Sequence, residues 1–337
     1  MFRFVVLLVV VVAGIAAVVA APPTPAQRER VNAILATVTP DNPQSVLAAE
    51  EALVREGQAL LPAMREALPV RRARLKAENE PCKCLNHWED ESNAARLASE
   101  ITALDQAIFR LANGVNPRKA ITDWAHALKF ADGRAFTREF LPLPVTDVET
   151  GRLEGIFPAY RFYLVYLPGY QSGAAPPEEV LRAFQVPAPL QAINLFAVNT
   201  AGRLALITQA ESGLKVFFQG ALPPVKTEAA ARDGAYAWLR LTTAFWWWNN
   251  QPLPFLPIAE HTLVVERGAA WPFLASGTVR VMPFNGNTGR IDVQMAFDAA
   301  GRLTTVKETR EIELAQLAVP MSAPPVGGGE AAVLQPE

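Results

Sequence analysis

Cysteine and histidine are nearly missing from this chain. Of its 337 residues, two are cysteines (Cys82 and Cys84) and three are histidines (His87, His126 and His261). Two cysteines this close together cannot staple distant parts of a fold, which excludes a disulfide scaffold. An excess of charge of one sign is also lacking, since the formal net charge is −2. Without a global positive field there is no electrostatic case for nucleic acid, and no basic run lies beside aromatics on a helix stripe or loop. Catalytic signatures are missing too. The chain has no Gly-x-Ser-x-Gly elbow, no His-Glu-x-x-His pair and no phosphate-binding loop. Asp147, Glu149 and Glu154 follow Pro144, and a carboxylate pair hydrolyses glycosides only when it faces across a groove. Nothing in their spacing places them so, and they read as a solvated loop. Glu260 and His261 read as the start of a surface strand, with a carboxylate-assisted base as the sharper alternative. No catalytic residue is assigned, and the expectation leans away from an enzyme.

What the chain does have begins at its start. Met1-Phe2-Arg3 carries one positive charge, residues 4–21 are uninterrupted apolar sequence, and Pro22 and Pro23 follow. Val18-Val19-Ala20 offers small or compact residues for cleavage after Ala20, so residues 1–21 resemble a secretory signal peptide. Left uncleaved, the same run is long enough for a transmembrane helix that anchors the protein to a membrane. Either reading puts the body of the protein outside the cytoplasm, periplasmic or extracellular, with a partner protein in the cell envelope as its expected company.

Residues 24–115 read as helical hairpins. Val31, Ile34 and Leu35 mark a first helix over 25–38, and Asn42 before Pro43 makes an N-cap and N1 pair for a second. Gly57 separates that helix from the stripe of Leu60, Leu61, Met64 and Leu68. Residues 52–68 resemble one helix-turn-helix unit of a HEAT-type repeat, but no second copy occurs at the expected period, so a solenoid is not expected. Ser92 is the expected cap of a long last helix bearing Leu97, Ile101, Leu104, Ile108 and Leu111, closed by Asn113-Gly114.

Between those helices lies Pro81-Cys82-Lys83-Cys84-Leu85-Asn86-His87. Thiolates and imidazole are ligands for zinc or copper, and Cys82, Cys84 and His87 are close enough to converge on one ion, with Asp90 as the fourth ligand. The spacing matches neither C-x-x-C-H nor C-x-x-C, and no second cysteine pair supports it. A structural or incidental pair is the expectation, with a metal site and thiol redox chemistry as the alternatives.

From residue 116 to 316 the signal becomes mixed. A helix is expected over 117–130, with His126 away from its apolar face. Strands are expected near 160–167, 193–198, 204–209 and 214–218, then near 262–266, 278–283, 291–297 and 303–312, with a short helix over 176–184. The turns Asn199-Thr200-Ala201-Gly202-Arg203 and Asp298-Ala299-Ala300-Gly301-Arg302 repeat almost word for word, each suited to a hairpin loop whose glycine is left-handed. A third turn is read at 287–290. The strongest helix signal runs over 227–248, capped by Thr227, with Trp238, Leu241, Phe245 and Trp248 on one face. Arg232, Asp233 and Arg240 fall off that stripe and are expected to face water. The halves on either side of this helix can be read as two similar helix-sheet units. Residues 317–337, rich in Pro, Gly and Ala, read as a disordered tail.

The pattern therefore predicts an α+β fold: N-terminal α-helical hairpins, then a mixed domain of antiparallel sheet packed by a long helix. The expected function is non-enzymatic, in envelope structure or protein binding. A ligand-binding module is the alternative, its aromatic groove built from Tyr160, Tyr163, Tyr166, Arg161, Trp246, Trp247 and Trp248. A hydrolase or thiol- or metal-dependent enzyme is the third reading.

Overall fold

The computed structural model describes residues 22–40, 42–79, 87–127, 140–166, 193–207, 211–248, 251–268, 272–283 and 286–314. The fold is α+β, with helices first and antiparallel sheets after. The chain divides into two compact units, one running to Val115 and including Val148–Thr150, the other formed by Asn116–Asp147 and the chain from Gly151 onward.

The first unit is built on α1 (Pro25–Leu35), α2 (Pro43–Glu56), α3 (Leu61–Glu78) and α4 (His87–Asn113). Thr24 and Gln27 form a reciprocal capping box on α1. Asn42 Oδ1 accepts from the backbone N–H groups of Gln44 and Ser45, and Pro43 supplies the preset φ of N1. Gly57, at φ 75°, stops α2, and one 3-10 turn (Gly57–Leu60) leads into α3. Val31, Leu35, Leu53, Met64 and Leu104 form the apolar centre. Buried charge threads between the helices. The Arg110 guanidinium donates 2.8 Å to Glu50 and 2.5 Å to Glu51, and Arg71 pairs with Glu100 at 2.7 Å. Burial opposes the charge on Arg110, yet the two glutamates outweigh it and hold its pKa above the ordinary value.

The second unit carries two four-stranded antiparallel meanders. The first runs β1 (Leu143–Val145), β2 (Tyr160–Tyr166), β3 (Ile193–Asn199) and β4 (Leu204–Ile207), preceded by α5 (Pro117–Ala127). A short helix, α6 (Arg152–Ile156), lies between β1 and β2, and α7 (Glu211–Ala221) follows β4. Then come α8 (Glu228–Thr243) and the two-residue strands β5 (Trp247–Trp248) and β6 (Gln251–Pro252). The second meander is β7 (Val264–Glu266), β8 (Phe273–Arg280), β9 (Thr288–Phe297) and β10 (Leu303–Glu313).

One apolar core serves both sheets of this unit, and α8 crosses it. Thr227 caps the helix by accepting from the Ala230 N–H at 3.1 Å, while Trp238, Leu239, Leu241 and Ala235 are fully buried. Small residues let helix and sheet approach. A Cβ on Gly277 of β8 would lie 2.7 Å from Leu263 and 3.0 Å from Leu239, and one on Gly234 would lie 3.3 Å from the Phe297 ring. The repeated turns are built alike. The side-chain oxygen of Asn199 accepts from Ala201 N and Arg203 N, and that of Asp298 from Ala300 N and Arg302 N. Gly202 and Gly301 adopt φ 74° and 78°. Each turn joins the third strand of its meander to the fourth.

Several expectations are corrected. No helix among the described residues is long and apolar enough to cross a membrane. The longest helix, α4, is studded with acidic and basic residues. Residues 1–21, which carried the signal and anchor readings, lie outside the described residues, and the described residues lend no support to a signal, a transmembrane helix or a periplasmic or extracellular placement. The long helix stops at Thr243, where β-branched residues weaken it, and the tryptophans beyond it enter the β5–β6 hairpin. The expected strand at 214–218 is helix α7, because Leu214, Phe217 and Phe218 recur at helical spacing and are buried on one side. The long last N-terminal helix begins at His87, so Ser92 lies inside it. Of the turn read at 287–290, residues 288–290 already belong to strand β9, where Gly289, at φ 140°, faces Ile312. His261 sits in a 3-10 turn rather than a strand. The expected helix at 176–184 and the tail at 317–337 lie outside the described residues.

Candidate functional site

Two buried carboxylates in the second unit are held by aromatic donors. Asp147 is 7% exposed; its Oδ2 accepts 2.6 Å from the Tyr236 hydroxyl of α8 and 3.1 Å from the Arg152 N–H. The Arg152 guanidinium lies 4.3 Å over the Tyr236 ring, donates 2.7 Å to Asp233 and pairs with Glu260. Glu154 accepts from the Asp147 N–H at 2.8 Å. The expected solvated loop is therefore, at Asp147 and Glu154, a docking element of α6 and α8. Asp233 and Arg240 do not simply face water either, since Arg240 donates 2.8 Å to the Thr146 carbonyl. The second carboxylate, Glu308 of β10, accepts 2.5 Å from the Trp238 indole N–H and 3.1 Å from the Thr242 hydroxyl, and pairs with Arg310. Both networks join elements of the core, and the Asp147 and Glu308 carboxylates accept from internal donors.

The outward face of the second meander is different. Register sets its side chains in two rows across three strands. Ser276, Gln294 and Lys307 form one row; Thr278, Asp292 and Thr309 form the other. Together with Thr262 they line an open hollow of about 270 Å³. Within the second row Thr278 donates 2.6 Å to Asp292, whose other oxygen meets Arg290 at 3.0 Å. Among the described residues no hydrogen bond engages the side chains of Ser276, Gln294, Lys307 or Thr309. The hollow thus presents a hydroxyl, an amide, an ammonium and a second hydroxyl to solvent, beside one shielded carboxylate.

The residues expected to form an aromatic groove are distributed otherwise. Tyr160 faces the core, edge-on to Phe217 with ring centres 5.4 Å apart. Tyr163, on the opposite face of β2, is fully buried, with the Arg118 guanidinium 5.7 Å from its ring centre. Arg161 is 9% exposed and donates 2.8 Å to the Tyr160 carbonyl. Trp246 packs on the core beside Arg310, 6.0 Å from its ring centre. Tyr166 ends β2, and Trp247 and Trp248 form β5, but their side chains lie outside the described residues. The described residues bring Tyr160 and Tyr163 to no common groove.

Of the expected metal ligands, Cys82 and Cys84 lie outside the described residues, while His87 and Asp90 stand in the first turn of α4. No group of His, Cys, Asp and Glu among the described residues could hold a metal ion. His126 is exposed on α5, its ring centre 6.4 Å from that of Phe140.

Sequence reasoning missed the hollow. Its signal was alternation, with Ser276 and Thr278, Asp292 and Gln294, and Lys307 and Thr309 each two apart. Alternation reveals an outward face, but only register reveals which outward residues meet. Compared with family models, with curated proteins and with solved structures, the chain matches none.

Proposed function

We propose that this is a non-enzymatic binding protein that engages another polypeptide through the outward face of β8, β9 and β10. One observation carries the reading: in this hollow Ser276, Gln294, Lys307 and Thr309 hold donors and acceptors that nothing within the described residues consumes. A peptide offers alternating N–H and C=O groups, which such a mixture can match. Small ligands bind where most of their surface is enclosed; an open hollow on a sheet face favours a longer chain that continues past its rim. The two buried carboxylate networks support the non-enzymatic side of the reading, because their groups already serve internal contacts.

Site-specific photo-crosslinking in cells tests this. A photoreactive side chain in place of Gln294 is expected to give discrete adducts of higher mass that the same group at exposed Glu266 does not give. Identical adduct patterns at both positions would refute the assignment.

A further inference from the structure

Strand β10 ends its sheet. It is 11 residues long, with β9 on one side and, among the described residues, no strand on the other. At its start Gln219 of α7 donates 3.2 Å to the Leu303 carbonyl; residues 306–312 lie beyond that contact.

That stretch is its own antiparallel complement. About a two-fold axis through Thr309, Val306 of one copy faces Ile312 of the other, Lys307 faces Glu311, Glu308 faces Arg310, and Thr309 faces itself. Opposed residues of an antiparallel pair share a face. Lys307 and Glu311 are both exposed on the outward side, whereas Val306 and Ile312 both pack toward the core. Because opposed residues must share a face, the axis has to pass through a residue, and its neighbours do worse. An axis at Glu308 sets Val306 against Arg310 and Lys307 against Thr309. An axis at Arg310 sets Glu308 against Ile312. The register at Thr309 alone among these matches every charge with its opposite and apolar with apolar. Exposed edges that must stay single are usually guarded by charges that repel a second strand. Here the alternation of sign does the reverse for a second copy.

We infer that two copies of the chain pair through β10, antiparallel about Thr309, joining two four-stranded sheets into one. The occupant of the edge is the same strand of another copy, and the pairing holds whatever the hollow binds. The two outward faces then meet across the axis.

Sedimentation velocity on the full chain provides the test. The wild type is expected to be a dimer that dissociates on dilution. Lys307→Glu sets like charges opposite each other twice and should weaken the dimer about tenfold or more. Glu311→Lys should do the same. The double variant Lys307→Glu/Glu311→Lys exchanges both partners and should restore dimerisation, which a merely misfolded variant would not. A second readout uses Thr309→Cys with Cys82→Ser and Cys84→Ser. Directly opposed residues have Cα atoms about 4.5–5.5 Å apart, within disulfide reach, so mild oxidation should give a covalent dimer, while Thr305→Cys should not. A wild type that stays monomeric to its highest soluble concentration, a double variant no better than the single ones, or equal crosslinking at 305 and 309 would each overturn the inference.

Discussion

At the scale of single residues, stability rests on a few buried polar groups with dedicated partners. Arg110 lies between Glu50 and Glu51, and Glu50 is fully buried. Replacing Arg110 by Met keeps apolar volume but removes the cation that compensates Glu50. Breaking a buried pair from one side costs about 3–5 kcal/mol, and urea denaturation should show a loss of that size. Trp238 has two roles that two substitutions separate. It is fully buried, so Trp238→Ala should cost about 3–5 kcal/mol, the range for a large aromatic removed from a core. Trp238→Phe keeps most of the ring but withdraws the indole N–H from Glu308, and should cost about 1–3 kcal/mol. No loss in Trp238→Phe, read by thermal unfolding, would show that the hydrogen bond adds nothing to the packing, and equal losses for the two variants would show that the ring's packing adds nothing to the hydrogen bond.

At the scale of elements, the matched turns make a controlled pair. Asp298 and Asn199 make the same two backbone hydrogen bonds, but only Asp298 titrates. The Arg302 N–H, seconded by the Arg302 side chain, holds the Asp298 carboxyl below its ordinary value. A carboxylate depressed in the folded state stabilises above its unfolded pKa of about 3.9, and that contribution is lost as pH falls through the folded value. Amide exchange of the β9–β10 turn should therefore quicken in acid, while the Asn199 turn should not respond. Asp298→Asn should abolish the difference. Gly301 tests the same hairpin by sterics. Its φ is 78°, and a Cβ there would lie 2.3 Å from the Val225 carbonyl oxygen. Gly301→Ala should cost more than about 2 kcal/mol in urea denaturation, combining a left-handed backbone with a collision against backbone atoms.

These elements also show where sequence reasoning reaches its limit. The α+β class, the caps at Asn42 and Thr227 and both repeated turns were legible, because each depends on neighbours within a few residues. The end of α8 was not. Its face pattern continues through Phe245 and Trp248, and only the pairing of Trp247 with Pro252 turns that segment into a hairpin. Residues 214–218 misled because a short apolar run fits either period until its burial is known. Asp147 looked like one acid of a loop, since its partners Tyr236 and Arg152 lie 89 and 5 positions away in sequence.

At the scale of the whole molecule, the second unit sorts its polar groups into two kinds. Those facing the core, such as Asp147 and Glu308, tie α8 to α6 and to β10. On the outward face of β8 to β10, the side chains of Ser276, Gln294, Lys307 and Thr309 make no hydrogen bond among the described residues. The central claim is that this second kind binds a polypeptide. Its most direct test is the affinity of the crosslinked partner segment, made as a synthetic peptide, for the wild type and for Ser276→Ala/Gln294→Ala. Neither substituted residue lies on the β10 edge, and neither is bonded within the fold, so the melting temperature should not move. The account predicts a fall in affinity of at least about tenfold, the equivalent of 1.4 kcal/mol, measured by isothermal titration calorimetry. Unchanged affinity with an unchanged melting temperature would contradict it.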